Sequence, residues 1–213
     1  MNPDAFTLTN IIVVVTCLIS FAFMNNDRMK SAMIFHPVTI RQKGQWYRFL
    51  TSGFIHADVL HLAINMFVLW SFGTAIERFY YPSFLGQLSS VMYLLLYFGG
   101  IVVASIPSYL RHRNDSSYAA LGASGGVSAV VFAVIVFEPW QNLYLYGVIA
   151  IPQIIAGIAY IAYSWYKDKH ATDNIGHMAH LTGAIWGFAF TCALNMNLLT
   201  NFVSKTLAGP SWL

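Results

Sequence analysis

Charge is what this sequence most lacks. Asp, Glu, Lys and Arg make up 9% of its 213 residues against 57% hydrophobic, where soluble domains average roughly 25% charged and 45–50% apolar. Eleven basic and eight acidic side chains cannot coat a soluble domain of this size, and the mean hydropathy of +0.59 agrees. A net charge of +3, scattered along the chain, is no electrostatic footprint for nucleic acid. Cysteine is equally scarce. Cys17 and Cys192 both lie in apolar runs, with neither a disulfide framework nor metal spacing. Internal repeats and low-complexity tracts are missing as well. An ordinary cytoplasmic enzyme, a disordered chain and a DNA- or RNA-binding domain are thereby excluded. What is present is an all-α, polytopic membrane protein, one domain by length.

A helix needs about 20 mainly apolar residues to cross roughly 30 Å of hydrocarbon. Six segments qualify, at about 8–25, 54–78, 85–108, 122–139, 143–165 and 177–199. The leader MNPDAFTLTN has no Lys or Arg, and SFAFMNN offers no small-x-small cleavage site, so the first segment reads as a retained span. Residues 26–53 form a long link with Trp46-Tyr47-Arg48-Phe49, too polar to cross and aromatic enough to lie at the interface. RHRNDSS (111–117) and KDKHATDN (167–174) are polar loops. The fourth segment is short and opens on Gly122, Gly125 and Gly126, as suits a central helix. Gly125, Ala129 and Ala133 form a small-residue stripe that lets a neighbour come close.

Polar side chains inside the spans are costly in lipid and therefore functional candidates. They are His61 and Asn65 in the second span, Ser124 and Ser128 in the fourth, Gln153 in the fifth, and His180 and Asn195 in the sixth. Spans two, four and six run in one direction, so His61, Ser124 and His180 lie at similar depth near one face. That is the geometry in which a nucleophile, a base and a hydrogen-bond donor converge. Gly183 and Gly187 follow His180 at i+3 and i+7, a smooth face matched to the stripe on span four. A lone serine more often bonds back to its own helix, and a glycine pair alone is weak. The conjunction of three motifs at matching depth favours catalysis.

These residues resemble the rhomboid family of intramembrane serine proteases, from about Trp46 to Phe188. Gly122-Ala123-Ser124-Gly125 resembles the GxSG motif, which makes Ser124 the nucleophile. Ala179-His180 with Gly183 and Gly187 resembles AHxxGxxxG, which makes His180 the base. His61-Leu62-Ala63-Ile64-Asn65 resembles HxxxN, whose His and Asn help form an oxyanion hole. Trp46-Tyr47-Arg48 resembles the WR motif of the first loop, and Glu77 the glutamate that ties down structure near that loop. The resemblance implies a minimal six-span bundle of bacterial type in the inner membrane. It also implies transmembrane protein substrates, no cofactor and no metal. Two positions depart from the pattern: Ser128 stands where an aromatic often stacks on the catalytic imidazole, so another group must orient His180, and Thr182 replaces a second glycine.

No carboxylate is placed to complete a triad, so the expectation is a Ser124–His180 dyad. The oxyanion would meet the Ser124 N–H at a helix N-terminus, His61 and the Asn65 amide. Pro152-Gln153 with Gly157 reads either as the kink of a lateral gate or as a bend that fits the bundle. A catalytically silent relative that binds membrane clients and a metal handler built on His177, His180, His56, His61 and Asp58 are the alternatives; no HExxH occurs. The basic residues conflict with the family's orientation. Nine of eleven (Arg28, Lys30, Arg41, Lys43, Arg48, Arg111, Arg113, Lys167 and Lys169) precede spans two, four and six, and only Arg78 and Lys205 lie on the other side. The positive-inside rule would put the Ser124 end in the cytoplasm, whereas the family opens its site outward. The reading follows the family.

Overall fold

A computed structural model describes residues 7–145, 148–170 and 176–210. The chain is mostly helical. Thr7 caps α1 (Leu8–Met24) by accepting the Asn10 N–H at 3.1 Å. Thr9, Ile12, Thr16 and Ser20 face inward on this helix, while Ile11, Val14, Leu18 and Phe21 face out. Hydroxyls are inside and large apolar side chains outside, the reverse of a soluble helix.

The link 26–53 is built of short helices. It folds into α2 (Asp27–Met33), α3 (Pro37–Lys43) and α4 (Arg48–Thr51), opened by Asn26 and His36 side-chain caps and, on α3, by proline at the first position. Arg48 is buried and donates to the Ser31 and Ile34 carbonyls at 2.8 Å each and to Gln45 Oε1 at 2.7 Å. It knits this link together from within.

Asp58 caps α5 (Val59–Val68), which continues in wider turns over Leu69–Gly73 and Ile76–Tyr80. The short α6 (Pro82–Leu85) and a positive-φ Gly86 then lead into α7 (Ser89–His112). The next helix, α8 (Ser124–Phe137), is the centre of the molecule: eleven of its 14 residues are buried. Leu62, Met66 and Leu69 of α5, Tyr93, Leu96 and Tyr97 of α7, and Ala129, Val130 and Ala133 of α8 share one core cluster.

α9 (Gln153–His170) and α10 (His177–Leu194) complete the bundle, and α11 (Asn197–Ala208) follows. α10 meets α8 on its glycine face: a Cβ at Gly183 would overlap the Gly125 carbonyl oxygen, and one at Gly187 that of Ala129. Lys205 of α11 satisfies the end of α8, donating to the Phe137 carbonyl at 2.7 Å and pairing with Glu138 at 2.9 Å.

Four expectations change. The fifth apolar segment begins as a β-hairpin, β1 (Asn142–Leu145) against β2 (Ile149–Pro152), with Asn142 opposite Pro152 and Leu145 opposite Ile149. A short apolar run reads equally as strand or helix by hydropathy. Pro152 ends β2 immediately before α9, so it does not kink a helix interior, and the gate built on that kink is withdrawn. The sixth segment stops at Asn195, an extended residue whose Oδ1 accepts the Asn197 N–H at 3.1 Å and starts α11. Of the loop 167–174, Lys167–His170 belongs to α9 and the rest lies outside the described residues.

Among the described residues, one helical stretch, Val59–His112, is long and apolar enough to cross a membrane by length and composition. Leu8–Met24 and Ser124–Phe137 are shorter apolar helices.

Candidate active site

Ser124 is the first residue of α8, and the loop before it is held at successive points. Phe35 and Ala120 exchange backbone hydrogen bonds of 3.0 Å, the Gly122 N–H donates to the Ser52 carbonyl at 2.9 Å, and the Ala123 N–H donates to His56 Nε2 at 3.3 Å. Arg48 acts at one remove, since it fixes the Ser31–Ile34 carbonyls just ahead of Phe35. Gly122 has φ +114°, a region where a side chain is strained, and a Cβ there would lie 2.8 Å from His61 Cε1. Glycine is required twice over, for the turn and for the imidazole pressed against it.

His56 is a residue whose role spacing alone did not reveal. It is 1% exposed. Because Nε2 accepts from Ala123, the proton sits on Nδ1, which donates to Ser20 Oγ at 2.9 Å; Ser20 in turn donates to the Phe54 carbonyl at 2.9 Å. A polar inward position on α1 thus supports the loop that presents Ser124. The His56 ring also stands edge-on to His61, with centroids 5.0 Å apart.

His180, in the first turn of α10, brings Nε2 to 2.9 Å from Ser124 Oγ. With the imidazole proton on Nδ1 the Ser124 hydroxyl donates to Nε2, a contact of the length that a hydroxyl nucleophile and its base require. The Tyr160 ring from α9 lies 23° from the plane of the imidazole at 5.7 Å, and its hydroxyl meets Ser128 Oγ at 2.6 Å. The group that stacks on His180 therefore comes from α9, in place of a residue one turn along α8. No spacing rule could have found it.

His61 and Asn65 sit one turn apart on α5, where Asn65 Nδ2 donates to the His61 carbonyl at 2.8 Å. One of the two amide N–H groups is thereby used and the second is left to point elsewhere. His61, Asn65, Ser124, Ser128, Tyr160 and His180 all line one cavity of about 1040 Å³. Gly183 and Gly187 are not in the cavity wall; they set the α8–α10 spacing that allows the 2.9 Å contact.

Glu77 is elsewhere. Its carboxylate accepts the Leu8 N–H at 2.6 Å, the Thr9 N–H at 2.8 Å and the Thr9 hydroxyl at 2.7 Å. It caps the start of α1, where negative charge is favoured, so the expected tie to the first loop is corrected to a tie between α5 and α1. The His177 and His180 rings stand edge-to-face at 5.9 Å. Among the described residues, no group of three His, Cys, Asp or Glu side chains could hold a metal.

The fold and the site together define a helical protein with outward apolar faces and a hydroxyl–imidazole pair in a deep cavity. Residues 43–197 match the Rhomboid domain family. The chain is 32% identical over 177 residues to "RHOMBOID-like protein 12, mitochondrial" of Arabidopsis thaliana, covering 76% of this chain and 48% of that one. It is 30% identical over 166 residues to "Rhomboid protease GluP" of Bacillus subtilis (strain 168), covering 78% and 29%. It is also 32% identical over 146 residues to "Presenilin-associated rhomboid-like protein A, mitochondrial" of Danio rerio, covering 64% and 34%. The protein belongs to the rhomboid family, which is membrane-embedded and includes serine proteases. It spans about half or less of the length of these relatives.

Proposed function

We propose that this protein is an intramembrane serine endopeptidase that cleaves transmembrane segments with a Ser124–His180 dyad. The observation that carries the reading is the 2.9 Å contact between Ser124 Oγ and His180 Nε2, inside the cavity and at the N-terminus of a buried helix. Ser124 Oγ attacks the scissile carbonyl carbon while its proton passes to His180 Nε2. The oxyanion is met by the Ser124 N–H, the His61 ring and the second N–H of Asn65, and the positive end of α8 adds to this. The C–N bond then breaks, and His180 returns the proton to the leaving amine. Water entering the cavity repeats the sequence on the acyl-enzyme, with His180 again as base, and frees Ser124.

In this reading six segments cross the membrane: α1, α5 with its continuation to Tyr80, α7, α8, the hairpin with α9, and α10. The outward apolar faces support it, notably Leu18 and Phe21 on α1 and Leu60, Ile64 and Phe67 on α5. Substrates are transmembrane proteins, since the site lies among these helices, and the protein is a multi-pass protein of a bacterial inner membrane. The relative named as a protease is bacterial and others carry mitochondrial names, so the compartment is checked by locating the tagged chain.

Labelling with a serine-reactive fluorophosphonate tests the dyad. Wild type should label, and Ser124→Ala and His180→Ala should neither label nor cleave a model transmembrane substrate. Cleavage by purified Ser124→Ala would refute the mechanism; a folded wild type that binds membrane clients but never labels would favour the silent relative.

A further inference from the structure

The His180 imidazole makes one hydrogen bond among the described residues, at Nε2 to Ser124. Among the described residues no carboxylate anchors Nδ1, and packing sets the ring plane. Among the described residues its ring neighbours include His177, edge-on, and Tyr160, in an offset stack at 5.7 Å, within the usual range for such pairs. The Tyr160 hydroxyl is held by Ser128, one turn beyond Ser124 on α8. Nucleophile, base and stacking ring thus come from three different helices, α8, α10 and α9.

α9 meets α8 at this level through Gly157, the Tyr160 ring and the Tyr160–Ser128 hydrogen bond. Gly157, one turn before Tyr160, brings the α9 backbone close: a Cβ there would lie 2.9 Å from Ile135 Cδ1 and 3.4 Å from Phe132 Cζ. Phe132 meets the Tyr160 ring at 6.3 Å. The same stretch of α9 (Gln153, Ala156, Gly157 and Tyr160) is a wall of the cavity. Because these residues share one helix, the wall of the cavity and the ring on His180 are carried by the same element.

We propose that Tyr160 is the positioning residue for the His180 imidazole and that, because α9 carries it, alignment of the base depends on how closely α9 sits against α8. This rests on the Ser124–His180 dyad proposed above. A misplacement of about 1 Å in a reacting group costs on the order of 10²-fold in rate. Loss of the ring should therefore appear in kcat and in the rate of fluorophosphonate labelling, and leave KM nearly alone.

The test uses the full-length protein in detergent or vesicles with a model transmembrane substrate. Tyr160→Leu should lower kcat and the labelling rate about 10- to 100-fold, with KM within about twofold. Tyr160→Phe keeps the ring and loses only the Ser128 bond, so it should stay within about threefold of wild type. Gly157→Val alters neither the dyad nor Tyr160 itself, but its branched side chain must fit where a Cβ alone already meets Ile135 Cδ1 at 2.9 Å and Phe132 Cζ at 3.4 Å, so it should push α9 outward with Tyr160 and lower kcat in the same way. Wild-type kcat in Tyr160→Leu, or an equal loss in Tyr160→Phe, would overturn the role of the ring. Unchanged kcat in Gly157→Val would overturn its dependence on α9. Labelling of Ser124 survives in each of those outcomes, whereas a wild type that fails to label, or a Ser124→Ala that still cleaves, defeats the dyad itself.

Discussion

Replacing Glu77 should separate the stability of the bundle from its chemistry. The carboxylate holds three donors at the start of α1: Leu8 N–H at 2.6 Å, Thr9 N–H at 2.8 Å and Thr9 Oγ1 at 2.7 Å. Thr9 has a single hydroxyl proton, which goes to Glu77, so the buried Tyr93 hydroxyl donates to Thr9 Oγ1 at 2.8 Å. In Glu77→Gln one oxygen becomes an NH₂ group. Either the Leu8 N–H or the Thr9 N–H then faces another donor, and the surviving bonds lose their charge. Hydrogen bonds to a charged group contribute about 1.5–3 kcal/mol each, so the change should cost roughly 2–3 kcal/mol. At about 2–4 °C per kcal/mol for a chain of this size, Tm should fall by about 4–12 °C. Glu77→Ala, which orphans all three donors, should fall further. His61 and Glu77 are 16 residues apart, at most about 24 Å along the helix at the α-helical rise of 1.5 Å per residue, and less over the wider turns between them. The folded variants should therefore label at Ser124 at the wild-type rate at low temperature. Thermal unfolding in detergent beside fluorophosphonate labelling reads both quantities. A Tm unchanged in Glu77→Gln, or labelling lost while the fold persists, would refute this assignment of Glu77 as the cap of α1.

Three further outcomes are expected. His61→Ala and Asn65→Ala should each slow turnover by about 10²–10³, the usual cost of one oxyanion donor, without abolishing labelling of Ser124; wild-type kcat in both would mean the oxyanion is held by other groups. Gly122→Ala should lose about 1–2 kcal/mol to its positive φ and displace the His61 ring. Its labelling rate should fall with a smaller loss of Tm than in Glu77→Ala, and a wild-type labelling rate would show that the loop adapts freely. A cysteine at Asn114, placed with Cys17 and Cys192 changed to Ser, should react with an impermeant maleimide outside intact cells. Reaction only after lysis would put the Ser124 end in the cytoplasm, as the count of basic residues has it.

That count is less simple in three dimensions than along the chain. Arg48 is buried on backbone carbonyls, Arg41 donates to Asn114, and Arg111 pairs with Asp168 at 3.0 Å. These side chains join the links at the Ser124 end to one another and to α9. A basic residue engaged in this way has a structural reason to be where it is, independent of orientation.

Several features were legible along the chain because they are local or periodic. Scarce charge and long apolar runs specify helices with apolar outer faces. The small residues Gly125, Ala129, Gly183 and Gly187 recur at helical spacing, so a close α8–α10 contact follows from the letters alone. Alternation of the apolar segments leads one to expect Ser124 and His180 at one level, and the tertiary structure brings them to 2.9 Å. Hydropathy, however, measures transfer from water rather than backbone shape, so it does not distinguish the β1–β2 hairpin or the break at Asn195 from continuous helix. Tyr160 on His180, His56 between Ser20 and Ala123, and Glu77 on α1 depend on which helix faces which. Each joins residues 20 to 69 positions apart, and no one-dimensional period encodes such a pairing. The sequence by itself determined which groups could react, because reactivity belongs to side-chain types; how they are held was decided only by the packing of helices around α8, because orientation is a property of neighbours.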